Sequence, residues 1–263
     1  LLSETEDVAP EDQIILMEGL SDVSNATRTL DSTSETPTIG RSDIAKMDKA
    51  YMEAVEAGDM ETAQRMVDEA AAAAGYNMTG YHGTPNEFNT FEHRRAANGK
   101  MWGDGFYFAE SEREAKQWGD RARRYGQITR VISAYLSVHN PVEVMSEDGS
   151  YVTGLDSYVV EQILNQLDPE YDADIIEAFD TGYLEDFNGE KGERIGDIIK
   201  DLGYDAVIGS YYGDSHIMVF NPSQIKSADP VTYDDNGNVI PLSERFNPEN
   251  SDIRFRVSNE NQA

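Results

Sequence analysis

Between Ser42 and Tyr76 the apolar positions Met60, Ala63, Met66 and Val67 recur at helical spacing among Ala, Glu, Asp and Lys. Gly58-Asp59 divides the stretch, and Asp59 stands where a carboxylate caps the second run. The pattern predicts an amphipathic helical hairpin over 42–76 that packs against the next domain. After Tyr76 the period shortens. The runs "MTGYHG", "GFYFA", "TRVISAYLSV", "DAVIGSYY" and "HIMVF" are rich in Val, Ile, Tyr and Phe and are bounded by turn residues, as strands are. Helical patterns intervene at "SEREAKQWGDRARR", "LDSYVVEQILNQL", "DADIIEAF" and "ERIGDIIKDLG". Strands scattered among unequal helices predict an α+β fold rather than a regular βαβ succession. Ser111-x-x-Glu114 reads as a capping box, which starts its helix at a defined place and sets Ala115, Trp118 and Ala122 on one face.

With 263 residues and 39% hydrophobic content, the chain supports one full-sized core with appendages. The organisation expected is an acidic linker or tail over 1–41, the hairpin over 42–76, a core over 77–228, and a hairpin with a C-terminal tail over 229–263. In "VTYDDNGNVIP", Asn236-Gly237 between alternating apolar residues is a hairpin turn signal, and it outweighs the likeness of Asp234, Asn236 and Asn238 to a calcium loop. "RFNPENSDIRFRVSNENQA" reads as an exposed tail with one short strand at "IRFRV". There is no cysteine, which excludes a thiolate nucleophile and cysteine-ligated zinc and leaves the redox compartment open. No run approaches the ~18 apolar residues of a membrane span. The chain reads as soluble and, since it begins with Leu1, as a piece of something longer.

The formal net charge of −29 disfavours nucleic acid as a partner, because such affinity comes largely from Lys and Arg neutralising phosphates. Charge is uneven, however. From Arg94 to Arg130, Arg94, Arg95, Lys100, Arg113, Lys116, Arg121, Arg123, Arg124 and Arg130 outnumber Asp104, Glu110, Glu112, Glu114 and Asp120. Either this is a solvated helix face balancing its own glutamates, or it is an electropositive patch for an anionic ligand or acidic partner. The same region holds "GYHGTPNEFNTF" and "GDGFYFAESEREAKQWGD", where a histidine between strand and glycine is followed by a dense set of aromatics. That grouping suits a slot for a flat, polar ligand. Trp118 is either a core anchor or the partner of Tyr107 across a gap that admits a planar, electron-poor ring.

The ordered set "YHGT", "GFYF", an aromatic on the following helix and the late strand "HIMVFNPSQI" resembles the ADP-ribosyltransferase fold shared by diphtheria toxin and the poly(ADP-ribose) polymerases. Together with "EAGDMETAQRMVDEAA" and "IPLSERFNPENSDIRF", it is similar to the ADP-ribosyltransferase domains of phage and prophage polyvalent proteins, over about Ala45 to Val257. The resemblance implies a split antiparallel β-sheet core with flanking helices and NAD+ as co-substrate, with no metal. It implies that His82 bonds the adenosine-side ribose, that the Gly83 backbone pairs with the nicotinamide carboxamide beside Thr84, and that Tyr107 and Trp118 sandwich the nicotinamide. A missing Cβ at Gly83 fits close approach of a ligand to the backbone. Arg94 and Arg95 follow closely enough to lie over the pyrophosphate.

Where the family carries its catalytic glutamate, this strand carries His216, with Asp214 and Ser215 within a shift of register. The implied activity is mono-ADP-ribosyl transfer from NAD+ to a protein acceptor. An NAD+ glycohydrolase and a catalytically silent NAD-binding module are the alternatives. The source implied is bacterial or phage, and the chain is cytoplasmic or a delivered effector.

Overall fold

The computed structural model describes residues 41–93, 102–144, 155–181, 190–211 and 214–254. Helices α1 (Arg41–Glu56) and α2 (Met60–Ala73) form the hairpin; Gly58 makes the turn at φ 71°, and Asp59 caps α2 by accepting the Thr62 N–H at 3.1 Å. The buried stripe of α2 is Ala63, Val67 and Ala71, while Met60 is exposed and Met66 only partly buried. Small residues on this stripe let the helix lie close to Tyr51, Tyr76, Tyr135 and Leu242.

Polar side chains fix the docking. Gln64 donates to the Tyr135 hydroxyl at 2.9 Å, the same hydroxyl donates to Asp68, and Tyr51 donates to the Pro230 carbonyl at 2.8 Å. Asp48 accepts both the Ser243 N–H (2.8 Å) and its hydroxyl (2.7 Å). Removing a charged acceptor of two partly buried bonds costs about 2 kcal/mol. Asp48→Ala is therefore expected to lower the unfolding free energy by that amount, read as a lower urea midpoint at an unchanged slope, and an unchanged midpoint would show that this contact does not hold the hairpin.

Seven strands form one sheet: β1 (Met78–Thr84), β2 (Phe106–Ala109), β3 (Arg130–Leu136), β4 (Pro141–Val144), β5 (Ala206–Tyr211), β6 (Asp214–Val219) and β7 (Ile225–Ser227), in the order β4-β5-β6-β2-β1-β3-β7. Among the described strands only β4 and β5 pair in parallel. The parallel pair needs a crossover. The chain between β4 and β5 carries α4 (Ser157–Leu164), α5 (Ala173–Thr181) and α6 (Glu190–Asp201), while α3 (Glu112–Ala122) follows β2. The fold is α+β, as the pattern of strands and unequal helices indicates.

Side chains alternate across the sheet and divide the core in two. Val142, Val144, Val207, Met218 and Phe220 face Ile163, Ile195 and Ile199 of the crossover helices. Phe106, Phe108, Ala134, Leu136, Ile217 and Val219 face the other way, toward Phe91 and Ile253. The C-terminal stretch is packed rather than exposed as far as it is described. Ile253 is buried, Lys226 donates to the Asn250 and Asp252 carbonyls (2.7 and 2.9 Å), and Arg245 donates to the carbonyls of Ser227, Asp229 and Pro230. Both cations are buried because backbone carbonyls replace their water. At 234–238 Asp234 accepts the N–H groups of Asn236 and Asn238, and Tyr233 bridges Val239, so the turn closes as a hairpin does.

Candidate functional site

Strand β1 pairs with β3 along its whole length, from Met78↔Leu136 to Thr84↔Arg130, but meets β2 at one register pair, Tyr81↔Ala109. Past that pair no backbone ladder joins β1 to β2 among the described residues, which leaves a gap in the sheet's hydrogen bonding. His82 stands at the opening: its Nδ1 donates to the Tyr107 carbonyl at 2.9 Å, across the gap the ladder leaves. The imidazole is packed among Phe88, Phe91 and Phe108, with ring centroids 5.0–6.3 Å away. Burial among these rings lowers its pKa, against the smaller opposing pull of the Tyr107 carbonyl, so His82 is neutral near pH 7. With the proton on Nδ1, Nε2 is an acceptor, and among the described residues it makes no hydrogen bond.

This neutral state has a consequence for stability. Below the reference pKa of about 6.5 the unfolded chain takes a proton at position 82 and the folded chain does not, so stability falls as pH drops. The carboxylates whose pKa is lowered, Asp59, Asp120 and Asp234, act only in a more acid range. Between about pH 6.5 and pH 5.5 the unfolding midpoint is therefore expected to fall more steeply in the parent than in His82→Gln. Parallel curves would show that His82 is not held neutral by burial.

On the opposite face lie Tyr107, Ala109, Met218 and His216, tied together by the register pairs Tyr107↔Met218 and Ala109↔His216. The Tyr107 ring packs against the crossover-helix core, and its hydroxyl donates to the Gly103 carbonyl while accepting the Trp102 N–H, both at 3.0 Å. Burial pushes its pKa up. Gly103, at φ 86°, makes the turn that delivers this loop to the strand.

Helix α3 crosses this face on β1. A Cβ at Gly83 would lie 1.6 Å from the Ala115 carbonyl oxygen, and one at Gly119 would lie 2.9 Å from the Gly83 carbonyl carbon. The space freed at Gly83 is thus filled by α3 and not left for a ligand, so the missing Cβ serves helix packing rather than close approach of a ligand. Thr84 is buried, with its hydroxyl accepting the Asn86 N–H at 3.1 Å.

The buried face of α3 is Glu114, Ala115 and Gly119; Trp118 and Ala122 are exposed. Trp118 retains 46% exposure, so it is no core anchor. The Arg121 guanidinium lies 4.6 Å from its ring centroid, and the His216 ring meets it edge-on at 6.1 Å. Glu114 was legible only as a cap. Ser111 does accept the Glu114 N–H at 3.2 Å, but the Glu114 carboxylate turns inward, its Oε1 lying 3.4 Å from both Trp118 Nε1 and His216 Nε2.

The structure thus gathers Tyr107, Trp118, His216 and Glu114 around one face and brings His82 to the same gap from the other. Asp214 opens β6 opposite Tyr211, but its side chain, like Arg94 and Arg95, lies outside the described residues. Part of the basic stretch is neutralised locally, by Lys116–Asp120 (2.9 Å), Arg123–Asp120 (3.3 Å) and Arg130–Glu87 (2.7 Å). Tyr125 and Ile128, in the loop after α3, are exposed beside it.

A family model described as ADP-Ribosyltransferase in polyvalent proteins matches residues 72–234, which span β1 through β7 and all the elements of this site. No curated protein matches the chain. A solved chain described as the crystal structure of an anti-CRISPR protein is similar at 15% identity, covering 56% of this chain and 91% of that one, with a TM-score of 0.34, too slight a likeness to carry an argument.

Proposed function

Because the chain belongs to the family of ADP-ribosyltransferase domains found in polyvalent proteins, we propose that it splits NAD+ between nicotinamide and ribose and transfers a single ADP-ribose to a protein acceptor. The observation that carries this reading is the gap between β1 and β2, with neutral His82 on one side and Tyr107, Trp118 and His216 on the other. His82 Nε2 accepts a hydroxyl of the adenosine-side ribose. The Gly83 backbone, still at the edge of the gap, pairs with the carboxamide, and Thr84 holds the turn beyond it. Tyr107 and Trp118 flank the nicotinamide. Arg94 and Arg95 supply charge to the pyrophosphate.

Breaking this bond releases nicotinamide neutral and leaves positive charge on the ribose. The chain's work is therefore to hold the dinucleotide in place and to oppose that charge, rather than to move protons. His216 at the family's glutamate position supports one transfer over chain extension, which needs an acidic group to activate an incoming ribose hydroxyl.

Charge and exposure support a protein acceptor. Trp118, Tyr125 and Ile128 are exposed on a segment that also carries Arg121, Arg123 and Arg124, within a chain of net charge −29. Screening over about 8 Å lets a short acidic segment feel this patch, while the rest of the surface repels a long polyanion. The test is incubation with adenylate-labelled NAD+ and a bacterial lysate. A few labelled proteins are expected, with transfer weakened in the double variant Arg123→Ala, Arg124→Ala while nicotinamide release persists. Release with no labelled protein would favour the glycohydrolase.

A further inference from the structure

Glu114 occupies an improbable place. It sits in the first turn of an exposed helix, where a glutamate serves the helix by reaching back to the cap N–H or by facing the positive helix end from solvent. Instead it is 4% exposed, on the face that α3 presents to the sheet. A buried carboxylate is retained where something nearby answers its charge. Within reach of Oε1 are two donors, the Trp118 indole N–H and His216 Nε2, each at 3.4 Å. One belongs to the aromatic flanking the gap. The other is the residue that stands where the family carries its glutamate.

Resting on the NAD+-cleaving reading above, we propose that Glu114 and His216 together replace the single strand carboxylate, with Glu114 as a positioning residue acting through the imidazole. A carboxylate accepts only, so the proton of a neutral His216 is held on Nε2. Nδ1 is then a bare acceptor on a ring whose side chain is 23% exposed, and it accepts the hydroxyl of the nicotinamide-side ribose as a carboxylate would. The negative charge sits one ring further back, where it opposes the cation forming on the ribose.

In the cleavage step the bond between ribose C1′ and the nicotinamide nitrogen breaks, its electron pair leaves on that nitrogen, and no proton moves. The acceptor's nucleophile then bonds to C1′. Any proton it carries passes to Nδ1, giving an imidazolium against the Glu114 carboxylate. His216→Glu alone sets two carboxylates side by side, whose like charges repel, so a strand glutamate is tested together with Glu114→Gln.

The test compares the parent, Glu114→Gln, and Glu114→Gln combined with His216→Glu, by nicotinamide release and by thermal midpoint. Glu114→Gln is expected to lower kcat about thirtyfold, with KM for NAD+ and the midpoint nearly unchanged, since only charge is removed. The double variant is expected to recover to within about threefold of the parent, because a strand carboxylate needs no partner. A Glu114 that merely supports the fold gives a lowered midpoint and no recovery. Unaltered kcat in Glu114→Gln, or loss without recovery, overturns the proposal while leaving NAD+ cleavage standing. If the parent releases no nicotinamide, it is the proposed function that fails. The pairing is then decided by the ring nitrogen shifts of His216, read on the basic plateau of the ring's own NMR titration: a proton on Nε2 in the parent and mixed tautomers in Glu114→Ala support it, and a proton on Nδ1 in the parent overturns it.

Discussion

Gly83→Ala is expected to lower stability by at least about 3 kcal/mol, or to abolish folding, although it adds a single methyl group. The methyl would sit 1.6 Å from the Ala115 carbonyl oxygen, and the obstacle is helix backbone rather than the end of a flexible side chain. Relief requires α3 to lift from β1, which separates Gly119 from Gly83 as well and moves Trp118 and Glu114 away from His216. The loss is read as a fall in the denaturant midpoint. A variant as stable as the parent would mean that α3 does not lie on β1 at this glycine.

Trp118→Ala is expected to act chiefly on the ligand, weakening NAD+ binding tenfold to a hundredfold while lowering stability by only about 1 kcal/mol, since stacking of a ring on an aromatic contributes ~1–3 kcal/mol and the fold loses one long hydrogen bond, from the indole N–H to Glu114 at 3.4 Å. The indole is nearly half exposed, with Arg121 over it and the Glu114 carboxylate and His216 ring behind it. Tyr107 offers no equally clean variant, because its hydroxyl ties the Trp102–Gly103 loop and its ring fills part of the core, so removing it perturbs folding and binding together. Titration of tryptophan fluorescence with NAD+ cannot be read in a variant that lacks Trp118, so calorimetry is the measurement. Unchanged affinity would remove Trp118 from the ligand site.

Five strands were legible in the sequence because Val, Ile, Tyr and Phe cluster there between turn residues. β4 and β7 were not. "PVEV" opens on a proline and "IKS" holds a lysine, and both are too short to establish a period. The C-terminal stretch reads as a tail because Arg245, Asn250 and Asp252 make it polar. Its burial rests on side-chain cations meeting backbone carbonyls, which leaves no trace in a hydrophobic pattern. His82, Tyr107 and Trp118 could be singled out by residue type and spacing. Glu114 could not, since Ser111-x-x-Glu114 has a complete local explanation, and only the approach of β6 shows where the carboxylate turns. Gly83 stands out in the sequence beside His82, but its reason, the Ala115 carbonyl against its Cα, exists only in the packing.

The measurement that bears most directly on the account is the release of nicotinamide from NAD+ by the purified chain, followed in time without any acceptor and again with lysate present. Release above the spontaneous rate is expected, faster with lysate, and lost in His82→Ala with the fold retained. NAD+ that binds and stays intact under both conditions would contradict it.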